Sequence, residues 1–254
     1  MIKTRIQLNL NDFPNQLHPY LQGTVYDSSS SDVARVYYSD LGYYTKVSPK
    51  GTLKEEAETG KLFYRLGFGV EVLTYISADK DYLVTKEAIG QDLTHYLNEP
   101  ERLCKTMAEA LKKLHATPID GLPVSIRMSQ YRELSEGKIS GYADYILMPR
   151  FMISSEEEAK AIIKENYHRI KQNTLIHGDY CLPNVILNDW GFSALIDFNL
   201  AGVGDKHIDL YWALWSLNFN LKTDAYTDCF LDAYGRENFE YDMLRVIAAF
   251  ELLG

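Results

Sequence analysis

Two kinds of hydrophobic pattern divide this chain, and one replaces the other between residues 86 and 90. Before the change, apolar residues come in short β-branched and aromatic runs: 24–27 (TVYD), 33–38 (VARVYY), 43–47 (YYTKV), 70–77 (VEVLTYIS) and 82–86 (YLVTK). Such runs predict strands. The first two flank Ser28 to Ser31, a turn-forming stretch that suggests a hairpin with a polar tip. Residues 53–66 alone take helical spacing, with Leu53, Phe63 and Leu66 on one side and Gly67 and Gly69 as stops. Residues 87–90 (EAIG) are a short connector. Beyond it the 3.6-residue period prevails. Residues 101–116 put Leu103, Met107, Ala110, Leu111 and Leu114 on one stripe, ended by Pro118 and Pro123. A less regular region, 124–154, precedes an expected helix at 156–170, capped by Ser154 or Ser155 with three glutamates in its first turn. Apolar runs at 175–176, 185–187 and 194–196 follow, then helices near 208–218, 224–234 and 240–253. The chain therefore reads as α+β, with a β-rich part at 1–86, a hinge at 87–90 and a larger helical part at 91–254.

Composition excludes several classes of function. At 254 residues and 46% apolar the chain can bury a core, and 26 Lys plus Arg against 35 Asp plus Glu leave a net charge of -9. There is no basic surplus for a nucleic acid or an anionic bilayer, so neither is an expected partner. Cys104, Cys181 and Cys229 are too few and too scattered for a disulfide framework or a zinc site, which suggests a reducing, cytoplasmic setting. The first residues, MIKTRIQLNLNDF, lack the apolar stretch of a secretion signal, and no apolar run approaches the ~20 residues that span a bilayer. An unprocessed soluble chain is expected, as monomer or homodimer.

Chemistry concentrates in His177-Gly178-Asp179-Tyr180-Cys181-Leu182-Pro183-Asn184 and in Ala194-Leu195-Ile196-Asp197-Phe198. An Asp followed five residues later by an Asn, then an apolar strand carrying a second Asp, matches the kinase catalytic loop H-R-D-x-x-x-x-N and its D-F-G. Gly178 stands in place of the Arg, and Asp205 and Asp209 follow in GDKHIDL. The set resembles the aminoglycoside phosphotransferase and choline kinase superfamily over nearly the whole chain. The resemblance implies a bilobal protein-kinase-like fold with a small β-rich N-lobe, a larger helical C-lobe and an active site between them. A carboxylate such as Asp179 can orient an acceptor hydroxyl and take its proton late. Magnesium wants hard oxygens and keeps several waters, so Asn184 and Asp197 suffice beside the phosphates of ATP or GTP. By the resemblance, His177 braces the loop and Asp209 holds its backbone from below.

In the N-terminal part, Lys46 resembles the lysine that contacts the α- and β-phosphates, and its helix partner should be a glutamate. Glu55, Glu56 and Glu58 are available; Glu56 lies three residues after Leu53 and seven before Phe63, so it shares their inward side and is chosen over Glu58. Ser29 and Ser30 occupy the place of a phosphate-covering loop, as phosphate contacts or as a plain hairpin tip. Glu87, Ala88 and Ile89 fall where the superfamily binds adenine through its backbone. Asn199 stands where relatives often have Gly; it either tolerates a left-handed turn or contacts metal or substrate.

For the acceptor, the region before the catalytic loop reads YILMPR at 145–150, with only Asp144 acidic nearby, whereas Glu251 and the terminal carboxylate resemble the chain end that grips amines in kinases of kanamycin-type antibiotics. The expected activity is phosphoryl transfer to the 3′-hydroxyl of an aminoglycoside, a cationic small-molecule alcohol, conferring resistance. A metabolic kinase for choline, homoserine, a sugar or a macrolide is the alternative, and a catalytically silent nucleotide-binding module is the rival from outside enzymes. A protein kinase is disfavoured because no D-F-G to A-P-E activation segment is present.

Overall fold

The computed structural model of the chain describes residues 4–29, 33–139 and 148–254. It divides into two compact units, one of Met1–Ile89 with Ala194–Asn199, the other of Gly90–Ser193 with Leu200–Gly254.

The first unit is built on a six-stranded antiparallel sheet. Its strands are β1 (Thr4–Ile6), β2 (Val25–Asp27), β3 (Arg35–Ser39), β4 (Tyr43–Pro49), β5 (Val72–Ser77) and β6 (Lys80–Lys86), in the order β1-β2-β3-β4-β6-β5. Alternation sorts the side chains. Val47, Tyr82 and Val84 face Leu17 and Leu21 from a 3-10 segment, Asn15–Tyr20, that sequence reading did not anticipate. Leu83 faces the opposite way, onto Leu53 and Ala57 of α1 (Lys54–Arg65). Lys46 is the register partner of Leu83, so it too faces α1. The start of α1 is fixed by buried Asp81, whose carboxylate accepts the amides of Gly51 and Leu53 at 2.9 and 3.0 Å. Gly67, at φ +81°, ends it.

The second unit is mainly helical. Helix α2 (Pro100–His115) buries all five residues of the expected stripe. A helix, α3 (Ile126–Ser135), stands inside the stretch read as irregular. Its buried residues are Met128, Tyr131 and Leu134, a sparse three-residue spacing among polar side chains that gives little periodic signal. Ser155 caps α4 (Glu156–Asn166), accepting the amide of Glu158, and the chain leaves α-helix at Asn166, short of residue 170. The remaining helices are α5 (Lys206–Leu221), α6 (Thr227–Tyr234) and α7 (Met243–Leu253). Strands β8 (Thr174–Ile176) and β11 (Gly202–Gly204) pair antiparallel, while β7 (Gln91–Asp92) and β9 (Val185–Asn188) pair beside β10 (Gly191–Leu195). From Ala194 onward β10 belongs to the first unit, which reclaims the chain as far as Asn199. Among the described residues no helix is long and apolar enough to cross a membrane.

Candidate active site

In the first unit, Lys46 is the centre of a charged cluster. Its Nζ lies 3.0 and 2.8 Å from the two carboxylate oxygens of Glu56 and 3.1 Å from Oδ1 of Asp197. Glu56 is buried, whereas Glu55 and Glu58 point to solvent, as the helical spacing requires. Burial of Lys46 opposes its charge, but Asp197 and Glu56 outweigh it and hold the ammonium pKa above its ordinary value. Asp197 is brought there by its neighbour. Phe198 is buried against Phe63 of α1, ring centroids 4.6 Å apart, and a Cβ on Gly69 would meet Phe198 at 3.0 Å. The left-handed residue of this turn is Asp197 itself, at φ +65°; Asn199 is exposed and is not left-handed, so the first of its two readings, a left-handed turn, does not apply. A non-glycine residue in that region is strained, and the Lys46 contact and the Phe198 anchor hold it there.

The serine turn is less available than the sequence suggested. The amide of Ser29 donates to Asp27 at 2.9 Å and its hydroxyl accepts the amide of Val36 at 2.9 Å, so both groups are engaged inside the hairpin. Ser30 lies outside the described residues. In the connector, Glu87 donates its amide to the Gly42 carbonyl and accepts the hydroxyl of Tyr38 at 3.1 Å; Ala88 is partly exposed and Ile89 is 74% exposed. Tyr26, Tyr38 and Tyr44 are register partners on the Lys46 face, with centroids 6.0 and 4.9 Å apart. Sequence reading passed over this ladder, although Tyr44 precedes Lys46 by two residues and so shares its face.

In the second unit, Asp179 sits on a loop whose backbone is held from several sides. Buried Asp209, on α5, accepts the amides of His177 at 2.8 Å and Gly178 at 2.7 Å, the place the resemblance assigned to it. The ring of His177 is buried, and its Nδ1 accepts the Asp179 amide at 3.3 Å. Asn184 donates its amide to both the carbonyl and Oδ2 of Asp179, each at 2.9 Å. The Cys181 thiol donates to Oδ1 at 3.1 Å; burial, then the charge of Asp179, pushes its pKa well up, so it stays protonated as a donor. Two supports were missed. His115 Nε2 lies 3.0 Å from Asp209, and the Ser216 hydroxyl accepts the amide of Leu182 at 2.9 Å. A lone His at a helix end and a lone Ser within one carry no local signal for such contacts.

Glu251 departs from the amine-gripping role expected of it. It is 4% exposed, and its oxygens accept from Tyr131 Oη at 2.6 Å and meet Arg127 at 3.2 Å. Burial raises its pKa, against Arg127 and Tyr131, which lower it. The reason is packing: α7 is buried along nearly its whole length, so its acid needs an internal partner. Asp144 lies outside the described residues.

Comparison with known proteins gives this arrangement its context. A probable aminoglycoside 3′-phosphotransferase of Lactococcus lactis subsp. lactis (strain IL1403) is 38% identical over 256 residues, 98% of each chain. An aminoglycoside 3′-phosphotransferase of Niallia circulans is 30% identical over 172 residues, covering 65% of this chain and 64% of that one. Among solved structures, an aminoglycoside 3′-phosphotransferase of type VIII aligns at TM-score 0.67 over 90% of this chain and 91% of that one, with 20% identity. An aminoglycoside phosphotransferase of Streptomyces rimosus in complex with ADP and streptomycin aligns at 0.66 over 91% and 90%, with 19% identity. At such identities the structural likeness speaks for the fold alone, which is the kinase-like fold of those enzymes. Residues 26–247 match the family described as phosphotransferase enzymes, and with a relative alike over nearly its whole length this chain belongs to that phosphotransferase family.

Proposed function

We propose that the chain transfers the γ-phosphate of ATP, or of GTP, to the 3′-hydroxyl of an aminoglycoside. What carries this reading is the way Asp179 is held: a part-exposed carboxylate, aimed by Asn184 and Cys181, on a loop whose amides are pinned by Asp209. Such a carboxylate can orient an alcohol and accept its proton as the bond to phosphorus forms. Lys46, kept charged by two carboxylates, suits the α- and β-phosphates. The Tyr38 and Tyr44 rings, tilted 41° to each other, offer aromatic surface to a purine, with Tyr38 hydrogen-bonded to Glu87 of the connector, whose backbone groups at Glu87, Ala88 and Ile89 are the proposed adenine contacts.

Each of the two expected donors, one in each unit, suits magnesium by its own chemistry. Both amide hydrogens of Asn184 are directed at Asp179, which leaves its Oδ1 as an acceptor, and Asp197, with half its side chain exposed, engages Lys46 through Oδ1. These are hard oxygens, and we assign Asn184 and Asp197 as the ligands. When bound, the ion would neutralise charge on the phosphates. The aminoglycoside is supported by the names of the two curated relatives and by the net charge of -9, which draws cations. With Glu251 matched by Arg127, amine recognition falls to Asp179, to Asp144 and to the field of the whole chain. Three free thiols suit a reducing cytoplasm.

The test is ADP release with MgATP across kanamycin-type aminoglycosides, choline, homoserine, a macrolide and monosaccharides, with phosphorus NMR locating the new ester. Asp179→Ala should lower kcat by ~10²–10⁴ while nucleotide affinity stays within a few-fold. Substantial residual turnover refutes the assignment of Asp179; turnover of choline or a sugar in place of aminoglycosides refutes the acceptor.

A further inference from the structure

Arg127 occupies an awkward place for a cation. It is the second residue of α3, in the first turn, where the exposed amides and the helix dipole favour negative charge. Its guanidinium is nevertheless mostly buried, 14% exposed; besides Gln130 Oε1 at 3.4 Å and the Trp212 ring at 5.9 Å, it meets two groups that explain its position. One nitrogen meets Glu251 at 3.2 Å, and Glu251 is itself steadied by Tyr131. The other donates to the Gly178 carbonyl at 3.4 Å.

That carbonyl and the Asp179 amide belong to one peptide plane. The amide end donates to His177 Nδ1 at 3.3 Å, so with Arg127 on the oxygen the plane is held at both ends. Its orientation sets the backbone from which the Asp179 side chain departs. The N-terminus of α3 is itself fixed, because the Ser125 hydroxyl donates to the Leu200 carbonyl at 2.5 Å. The same Leu200 oxygen would lie 2.1 Å from a Cβ on Gly178, whose φ is +82°. Gly178 is thus confined between a carbonyl it must accommodate and a guanidinium that grips its own.

We propose that Arg127 is a positioning residue for phosphoryl transfer, fixing the Gly178–Asp179 peptide plane, with Glu251 and Tyr131 as its anchor. It would act through that plane and not on the reacting atoms. The inference rests on the proposed phosphotransferase reading, and its test keeps the two apart. Arg127→Met should lower kcat by about tenfold to a hundredfold at saturating substrates, since displacement of a reacting group by ~1 Å costs on that order. The KM for ATP should stay within about threefold, as nothing in the nucleotide contacts changes. Arg127→Lys, which keeps the charge, should recover part of the loss.

The single variant leaves Glu251 buried without its cation, so the decisive protein is Arg127→Met/Glu251→Gln, which removes both charges. If Arg127 merely neutralises Glu251, the double variant regains wild-type kcat, and the proposal is overturned. If it positions the loop, the double variant folds yet stays slow. Hydrogen exchange of the peptide spanning residues 177–180, followed by mass spectrometry in the full chain, reads the same point without turnover. Faster exchange in the double variant supports the proposal and unchanged exchange overturns it. Should the wild type phosphorylate no acceptor, the phosphotransferase reading falls, and exchange alone judges whether Arg127 holds the plane.

Discussion

Replacing Asp209 by alanine would remove the acceptor of three groups at once: the amides of His177 and Gly178, at 2.8 and 2.7 Å, and Nε2 of His115 at 3.0 Å. Asp209 is fully buried, so water from bulk cannot simply take its place. A buried polar group left without a partner costs about 1–3 kcal/mol. Three such losses, sharing one site and therefore less than additive, predict a destabilisation of ~3–6 kcal/mol, a large part of the ~5–15 kcal/mol that holds a typical protein folded. Asp209→Asn keeps one acceptor oxygen and should lose roughly half as much. The three tryptophans, Trp190, Trp212 and Trp215, all lie in the second unit, so their fluorescence in a urea titration reports on the unit that contains Asp209. With a slope near ~3 kcal/mol per M urea, the midpoint should fall by ~1–2 M in Asp209→Ala. A midpoint within ~0.3 M of wild type would refute the reasoning, because it would mean that the loop amides find other partners at no cost.

Lys46→Ala should raise the KM for ATP by about tenfold or more and leave measurable turnover, whereas Asp197→Ala should abolish turnover at any practical Mg²⁺ concentration. Equal, mild defects in steady-state assays of the two would place the phosphates elsewhere. Asp205, buried at the start of α5, links stability to pH: burial raises its pKa, but the His207 hydrogen bond and charge and the Lys171 and His207 amides prevail and hold it below the ordinary carboxylate value. A carboxylate lowered in the folded state stabilises above its unfolded pKa, and that contribution is lost as pH falls through the folded one. Asp205→Asn should therefore destabilise at pH 7 and converge with wild type as the pH drops below ~4 in a series of urea melts; a constant difference across that range would contradict the linkage.

Parts of the site were legible because a local period carries them. Glu56 follows from the helical spacing of Leu53 and Phe63, and that same spacing leaves Glu55 and Glu58 exposed. Asp209 was reached through a motif, since no period in HIDL says which loop its carboxylate meets. Helix α3 escaped notice because its three buried residues are embedded in polar ones. Glu251 was misjudged for a different reason: its counterion Arg127 and its hydrogen-bond donor Tyr131, the latter 120 residues away, are brought to it only by tertiary packing. Ser29 shows a third kind of limit. Hydroxyls and amides in a turn serve a ligand or the turn itself with equal chemistry, and here Asp27 and Val36 claim them.

The six residues Ala194–Asn199 tie the first unit to a late part of the chain. Leu195 donates its amide to the Phe68 carbonyl, and Lys46 meets Asp197 across 151 positions of sequence. During synthesis the first unit therefore emerges with its six-stranded sheet but without this segment and the carboxylate that faces its lysine, and must wait for more than a hundred further residues before it can close. Contacts of such long sequence separation form slowly. No single cut near the connector can yield two complete halves: a fragment ending at Ile89 would keep the lysine and Glu56 but expose the Phe63 surface that Phe198 covers, an aggregation-prone remnant in place of a nucleotide-binding module.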